Sequence, residues 1–383
     1  MKKLLIVHTR YQFRGGEDIA VDNEIQALSS VFKVEKIIFE NNQKLRLSNL
    51  FYFLINSNYQ SINKLKQKIL TFKPDIVYVH NTWFMGSLGI FKYLKRNKII
   101  TILKLHNFRY FCTRSFSIRK HLVNKDFCQC CALKKSDNFF FNKYFQDSYL
   151  KSILVNYYGK KYLKIIQDNY FKIIVLTQFH KSFLIDNNIR KDKIYVNANP
   201  HEIEYRIPKN KKENFIVYAG RITQEKGVKE LIEVFLDSDT GKFKLKIIGI
   251  GPQLEDLRNN YKNNNLVEFL GELNNDKVLE IICNSDAVIT YTKLFEGQPT
   301  LLTEASLLGI PSIFPDTGGI AEFFPKNYIF MFEQFNNEDL KSKLNLLSKS
   351  KDLEKIGIKN KKFIKNEYSL EKVINKFVQI VDE

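Results

Sequence analysis

No run of about eighteen apolar residues occurs anywhere in this chain, so nothing in it reads as a membrane-spanning helix. The opening apolar run, Leu4-Leu5-Ile6-Val7, is too short for a signal peptide and leads into a loop without a cleavage site. Cysteine is scarce: Cys112, Cys128, Cys130, Cys131 and Cys283 are the five in 383 residues. That excludes a disulfide-built scaffold and reads as reduced thiols in a cytoplasm. No repeat of fixed period and no low-complexity tract beyond a Lys/Asn bias is present. Acidic residues are scarce in one half only. Residues 1–200 hold 13 of them against 34 Lys+Arg, whereas 201–383 hold 28 against 26, so the halves carry +21 and −2. Such asymmetry points the first half at an anionic partner: nucleic acid, a phosphorylated lipid or an acidic membrane surface. Two signatures are also missing. The first strand lacks a tight G-x-G-x-x-G and a following acidic residue, which excludes a nicotinamide dehydrogenase, and no lysine is placed for pyridoxal phosphate.

What is present is enough for two α/β domains: 44% hydrophobic and 14% aromatic residues over 383 positions. Short apolar runs at Leu4–His8, Val34–Phe39, Ile76–His80, Ile99–Leu105 and Ile173–Thr177 alternate with helical stretches, the first being Asp18–Ser30 after the Gly15-Gly16 loop. This predicts a parallel, Rossmann-like sheet. Between Asn107 and Asp168 the pattern loosens into a Lys/Arg/Phe/Tyr-rich insertion, helical from about Tyr144. Proline and charge at Ala198-Asn199-Pro200 and Ile207–Lys212 predict a linker. A second set of strands follows at Phe215–Ala219, Phe243–Ile248, Leu266–Leu270, Ala287–Tyr291 and Ile310–Phe314, with helices beginning near Gly227, Pro252, Asn274 and Pro299. The expected fold is therefore α/β, with two doubly wound parallel sheets, and helices alone after Asn336. Ligands of such sheets bind at the carboxyl ends of strands, which predicts a cleft between two facing domains.

The stretch Phe295–Ala305 carries the densest chemistry. Pro299 suits a helix start, and Gly309 with Pro311 ends the same helix, leaving the N–H groups of Thr300, Leu301 and Leu302 free at the positive pole of its dipole, where a phosphate is held well. Glu296 lies in the loop before that turn. Glu304 lies on the helix with Thr300, Leu301, Leu307 and Leu308 as its i±3 and i±4 neighbours, so no local cation pairs with it. Gly220-Arg221-x4-Lys226-Gly227 puts two cations at a strand end, able to clamp a diphosphate. Gly249-x-Gly251-Pro252 lets backbone approach a ligand closely. Asp237-Ser238-Asp239, which precedes Thr240-Gly241, reads as a turn rather than a metal site.

In that order, with Gly318-Gly319 following, these motifs resemble the family 4 retaining glycosyltransferases of the GT-B fold. The likeness extends to Gly15-Gly16-Glu17-Asp18 and His106-Asn107-Phe108-Arg109 in the first half. It implies that Arg221 and Lys226 hold a donor diphosphate, that Glu304 takes the ribose hydroxyls, and that Glu296 lies at the donor sugar. It further implies that Gly251 approaches the donor, that the amides of Thr300 and Leu301 meet phosphate and sugar, and that Gly271 lies near the base. Gly16 lines the cleft, and His106 sits beside the reacting carbon. Residues 1–200 become an acceptor-binding domain with an insertion at about 107–168. Residues 201–383 become the domain for the nucleotide donor, UDP- or GDP-linked, with C-terminal helices packing back toward the first domain. No cofactor or catalytic metal is required. The acceptor is a glycan or a polyprenyl-diphosphate-linked sugar, in bacterial capsule or lipopolysaccharide synthesis. Arg109, Arg114, Arg119, Lys120, Lys134 and Lys135, with Phe139, Phe140 and Phe141, are the candidates for contacting acceptor or an anionic membrane. That places the protein peripherally on the inner face of the cytoplasmic membrane. The cluster Cys112-x15-Cys128-Gln129-Cys130-Cys131 suggests a structural zinc at Cys112, Cys128 and Cys131, but no partner pair at ordinary spacing accompanies it. A basic Rossmann-type nucleic-acid-binding module remains the alternative to a transferase, for which no nucleic acid is expected.

Overall fold

Leu4 to Val7, Ile76 to Val79 and Leu103 to Leu105, the charged Lys104 included, are almost wholly withdrawn from solvent, as expected of strands covered on both faces. The computed structural model describes residues 1–383 apart from 12–14, 42–51, 53–54, 124, 126, 135–139, 146–147, 204–213 and 242. The expected linker segment Ile207–Lys212 lies outside the described residues. The chain divides into two units, Met1–Pro200 with Leu370–Glu383, and His201–Ser369. By this division the last helix belongs to the first unit, and the second unit ends at Ser369.

In the first unit, strands β1 (Lys3–Arg10), β2 (Lys33–Glu40), β3 (Ile76–Val79), β4 (Thr101–Leu105), β5 (Lys172–Val175) and β6 (Ile194–Val196) form one parallel sheet in the order β2-β1-β3-β4-β5-β6. Side chains alternate across it. Leu5, Val7, Val77, Val79, Leu103 and Leu105 face helices α2 (Tyr59–Phe72), α3 (Gly89–Arg96) and, within the insertion, α6 (Tyr149–Gln167). Leu4, Ile6, Ile76, Tyr78 and Ile102 face the other way, onto Val21 and Leu28 of α1 (Gly16–Leu28) and onto Phe377 and Ile380 of the last helix, α14 (Leu370–Asp382). Two short helices, α4 (Arg109–Cys112) and α5 (Ile118–Leu122), open the insertion. Helix α7 (Gln178–Asp186) joins β5 to β6. The three-residue β6 was not read from the sequence.

The second unit holds β7 (Phe215–Ala219), β8 (Lys244–Ile248), β9 (Val267–Gly271), β10 (Ala287–Ile289), β11 (Ser312–Asp316) and β12 (Met331–Glu333), parallel in the order β12-β11-β10-β7-β8-β9. Its helices are α8 (Val228–Leu236), α9 (Leu254–Tyr261), α10 (Asn275–Asn284), α11 (Thr300–Leu308), α12 (Asn337–Lys349) and α13 (Leu353–Glu367). The strand order reverses between β7 and β10 here, and between β1 and β3 in the first unit. At such a reversal the connections leave toward opposite sides, so a crevice opens beyond the carboxyl ends of those strands.

Candidate active site

The crevice of the second unit is built by the loops after β7 and β10. Gly220 and Arg221 follow β7, with the Arg221 carbonyl pinned by the Tyr218 hydroxyl at 2.8 Å and the Arg221 side chain exposed. Lys226 closes a short 3-10 turn at Gln224–Lys226, and Gly227 then caps α8 in the left-handed region at φ 65°. Across the reversal, the Lys226 ammonium is ion-paired with Glu296, whose Oε1 also accepts from the Thr292 hydroxyl at 3.0 Å. Gly319 N–H donates to the Glu296 carbonyl at 2.8 Å, and Gly318, at φ 60°, lies so close to the Glu296 backbone that a Cβ there has no room. The two glycines therefore hold the Glu296 loop from below. Gly251 is equally confined, against the backbone of Ile222. Gly271 ends β9 at φ 70°, and its carbonyl takes the Gly249 N–H at 2.7 Å. The motifs separated by up to a hundred positions in the sequence meet at one sheet edge.

Helix α11 begins at Thr300 with Pro299 as its cap. Leu302 and Thr303 N–H groups both donate to the Pro299 carbonyl at 3.2 Å. Leu302 is therefore not free, which corrects the sequence reading, and among the described residues only Thr300 and Leu301 of that turn keep unpaired amides. Glu304, one turn on, is 9% exposed. Among the described residues its carboxylate has no hydrogen-bonding or ionic partner, and burial pushes it up to about 7. An unpaired carboxylate held this far from water is costly, so the site is built to receive hydroxyl donors. Asp237-Ser238-Asp239 ends α8 at the opposite, amino edge of the sheet, where Asp237 pairs with Lys341 at 2.6 Å.

The first unit gathers a second set. His8, His80, Lys104 and His106 continue the sheet face that packs on α1, at the carboxyl ends of β1, β3 and β4. His106 is hydrogen-bonded through Nε2 to His80 Nδ1 at 2.9 Å, the two rings stacked. Beneath them the buried Lys104 ammonium is paired with Glu24 at 3.0 Å, and Glu24 also accepts from Tyr78 at 2.8 Å. Burial first, and then neighbouring cationic groups, hold both His80 and His106 well below the ordinary imidazole value, so both are neutral. His106 thus offers a hydrogen bond rather than a charge. His8 meets Asp18 at 2.9 Å, and Asp18 caps α1 by accepting from Gly15 N–H at 3.0 Å. Gly16 is the exposed first residue of that helix. Glu17 accepts from Tyr11 at 3.2 Å, and burial raises it to about 7. Of this group the sequence reading singled out only His106 and Gly16. A lysine inside the apolar run Ile99–Leu105 was the signal that a buried carboxylate faced it.

Within the insertion, Arg109 opens α4 and Arg114 is tied to Asn187 at 3.1 Å and stacked over Phe111, so Arg114 is occupied within the fold. Arg119, Lys120 and Lys134 are exposed, whereas Lys135 and Phe139 lie outside the described residues. Phe140 is the most exposed aromatic, while Phe141 is half-buried against Phe116 and Tyr149. Sequence reasoning missed Tyr149, Leu150, Ile153 and Tyr157, an exposed stripe along α6, because nothing in helical periodicity says which face a neighbour leaves bare. Cys112, Cys128 and Cys131 come together in the same insertion, joined by His121.

Two reversed parallel sheets, one with a paired lysine and glutamate and an unpartnered carboxylate at its switch point, define a GT-B fold. Residues 201–369 match the family described as glycosyl transferases group 1. It is 28% identical over 192 residues to the amylovoran biosynthesis glycosyltransferase AmsD of Erwinia amylovora, a match covering 48% of this chain and 54% of AmsD. Across three curated relatives that it matches, the chain spans 54%, 64% and 61% of their lengths. Among solved structures it is similar to the lipopolysaccharide outer core galactosyltransferase WaaB (TM-score 0.63, 18% identity, 99% of both chains). It is also similar to HepE of Anabaena in complex with UDP and glucose (TM-score 0.69, 13% identity, 100% of both chains).

Proposed function

We propose that this protein is a retaining, metal-independent hexosyltransferase that moves a sugar from a nucleotide diphosphate to a glycan or polyprenyl-diphosphate-linked acceptor in surface polysaccharide synthesis. The observation that carries the reading is Glu304: a buried, unpartnered carboxyl one turn beyond two free helix amides, on the helix that follows Glu296, the partner of Lys226. A ribose supplies the two hydroxyls that such a carboxylate lacks, and the diphosphate takes the amides of Thr300 and Leu301 together with Arg221 and Lys226. The same cations face the charge that grows on the leaving diphosphate as the bond from the anomeric carbon breaks, so the positive potential is already in place when the transition state forms. The acceptor oxygen bonds to that carbon on the face the diphosphate leaves, which retains configuration, and its proton passes to the departing phosphate oxygen. Glu296, freed from Lys226 by the incoming phosphate, accepts from a sugar hydroxyl, and neutral His106 hydrogen-bonds to the donor sugar. HepE with UDP and glucose, and AmsD in amylovoran synthesis, support a nucleotide-sugar donor and a polysaccharide product. The group 1 domain disfavours the nucleic-acid-binding alternative.

We further place the protein peripherally on an anionic leaflet. The apolar stripe of α6, with Tyr149 53% and Leu150 58% exposed, shares its helix with Lys151, Lys160 and Lys164, Lys143 lies over the Tyr149 ring, and Arg119 and Lys120 of the same insertion are exposed as well. Aromatic and apolar residues inserted at an interface among cations are the pattern of a surface-bound helix. A panel of UDP- and GDP-sugars assayed by thermal stabilisation and by transfer tests the whole reading. We expect one donor class to stabilise and to turn over without added Mg2+ or Mn2+; stabilisation by none, or strict dependence on a divalent ion, overturns it.

A further inference from the structure

The insertion of the first unit encloses a site that the transferase reading does not use. One ligand atom from each of Cys112, His121, Cys128 and Cys131 lies within 4.8 Å of all the others, with Cys112 Sγ 3.4 Å from Cys128 Sγ and Cys131 Sγ 3.3 Å from His121 Nε2. A zinc ion ~2.3 Å from sulfur and ~2.1 Å from nitrogen spaces tetrahedral ligands roughly 3.6–3.8 Å apart, close to this arrangement. The sulfurs are too far apart for a disulfide, in which they stand about 2.05 Å from each other. We propose that these four residues form a closed Cys3His structural zinc site.

The surroundings orient each ligand. His121 Nδ1 meets Asn142 Oδ1 at 2.9 Å. Asn142 is fully buried, and its amide nitrogen donates to the Ser115 carbonyl at 2.9 Å, which fixes the oxygen toward His121. His121 must therefore carry its proton on Nδ1, and the Nε2 lone pair points at the three sulfurs, as in a metal-bound histidine held by a second partner. Tyr144 donates its hydroxyl to Cys131 Sγ at 3.6 Å, a contact that suits a thiolate. Cys128 and Cys131 are brought onto one side by a tight turn: Cys128 N–H donates to the Leu133 carbonyl at 2.9 Å, Ala132 N–H to the Cys128 carbonyl at 2.8 Å, and Phe127 bridges Lys134 across the turn. Ala132 adopts φ 67°, a backbone that a side chain resists, so something beyond local preference holds the turn.

Among the described residues the apolar cluster of the lobe is small. The apolar cluster of this lobe is Ile118, Leu122 and Leu133, with Cys128 and Cys131 against it. Three side chains do not order a lobe of this size, whereas a metal does so outright. Three thiolates and an imidazole are the donor set that selects zinc, and all four positions come from protein, which marks a structural ion and leaves no site for substrate. The sequence concealed the fourth ligand because a histidine on a short helix carries no spacing signature. Cys130, whose thiol meets those of Cys112 and Cys128, is not one of the four mutually close ligands. The ion would bind the end of α4, which follows His106 and Asn107, to the lobe presenting Arg119, Lys120 and Lys134.

Elemental analysis of the full-length protein, purified without chelators, tests this directly. We expect one zinc per chain, and native thiols at Cys112, Cys128 and Cys131 that resist a chromogenic thiol reagent until a strong chelator strips the metal. Cys128→Ser and His121→Ala should lose the zinc, whereas Cys130→Ser and His121→Cys should keep it. Cobalt added to the stripped protein should show the intense ligand-field bands of a tetrahedral thiolate site. Because the wild-type stoichiometry is read first, a variant that fails to fold does not shield the proposal. Zinc far below one per chain with freely reacting thiols, or a Cys112–Cys128 disulfide in the native protein, overturns it. Zinc kept by His121→Ala and lost by Cys130→Ser overturns the assignment of the fourth ligand.

Discussion

Glu304 shows how one side chain carries both a cost and a function. Its carboxyl is raised from 4.5 to about 7 by burial, so the folded state holds that proton more tightly than the unfolded chain does. Below the unfolded value both states are protonated and nothing is lost; between 4.5 and about 7 the unfolded chain ionises while the folded state keeps its proton, so stability falls across that window and is level above it. Glu304→Gln should therefore unfold at a higher temperature than wild type at pH 8, by up to about 3 kcal/mol, and the gap should vanish near pH 4. Parallel melts at the two pH values check this, and equal melting at pH 8 would show that the carboxyl is not buried unpaired. In the proposed donor site binding runs the other way, because only the carboxylate would accept from both ribose hydroxyls. Affinity for a nucleotide sugar, whose diphosphate does not titrate in this range, should rise with pH through about 7 in wild type and stay flat in Glu304→Gln, as read by calorimetry. Arg221 is exposed and stabilises nothing in the fold that we describe. Arg221→Ala should leave the melting temperature alone while turnover drops ~30- to 1000-fold, the equivalent of roughly 2–4 kcal/mol of transition-state stabilisation. Unchanged turnover would remove Arg221 from the donor site.

At the scale of elements, two helices decide most of the behaviour. Helix α11 aims its amino end into the crevice, and its far end is set by α13: Gly309 caps α11 at φ 76°, and Gly357 of α13 lies against the Gly309 backbone so closely that no Cβ fits. Gly357→Ala should cost about 1–3 kcal/mol of stability, since the helices must part to admit it. Denaturant midpoints measure that cost, and a variant as stable as wild type would show that the approach is loose. Helix α6 is packed on one face through Tyr158 and Tyr162, whereas on the other Tyr149, Leu150, Ile153 and Tyr157 are exposed, with Phe141 and Lys143 against the Tyr149 ring. If the exposed face meets lipid, each cation of the insertion contributes about 1 kcal/mol at an acidic leaflet, so reversing Arg119, Lys120, Lys160 and Lys164 together should weaken binding about a thousandfold. Co-sedimentation with anionic and neutral vesicles reads this, and Leu150→Glu with Ile153→Glu should weaken the salt-resistant remainder. Equal binding by wild type and both variants would remove the membrane assignment.

For the whole molecule, the chain leaves the first unit at Pro200 and returns to it at Leu370. The return is structural. Phe377 and Ile380 of α14 are buried against Phe32, Tyr78 and the apolar edge of β1, Asn197 donates to the Val373 carbonyl at 3.1 Å, and Lys2 pairs with Asp382. Phe377→Ala should lower the stability of the first unit by about 3–5 kcal/mol, the usual cost of emptying an aromatic site in a core. The loss should appear as a separate, earlier transition in calorimetry while the second unit melts unchanged. A single unaffected transition would mean that α14 is not part of the first unit's core.

What the residues alone determined were the features written in local pattern. Apolar runs of four to eight, glycines at strand ends, Pro299 and Gly309 around one helix, and the spacing of Arg221, Lys226, Glu296 and Glu304 were legible because each depends on nearest neighbours along the chain. Strands β6 and β12, three residues each, were not read from the sequence. Only tertiary structure could decide what depends on residues far apart in sequence. It put Lys104 on Glu24, His106 on His80, His121 among the cysteines, and Leu302's amide back on Pro299. It also turned Arg114 inward and left the stripe of α6 exposed. A buried charge must find its partner wherever the fold supplies one, and a side chain's exposure is set by what packs over it, neither of which is carried in the sequence of a single element.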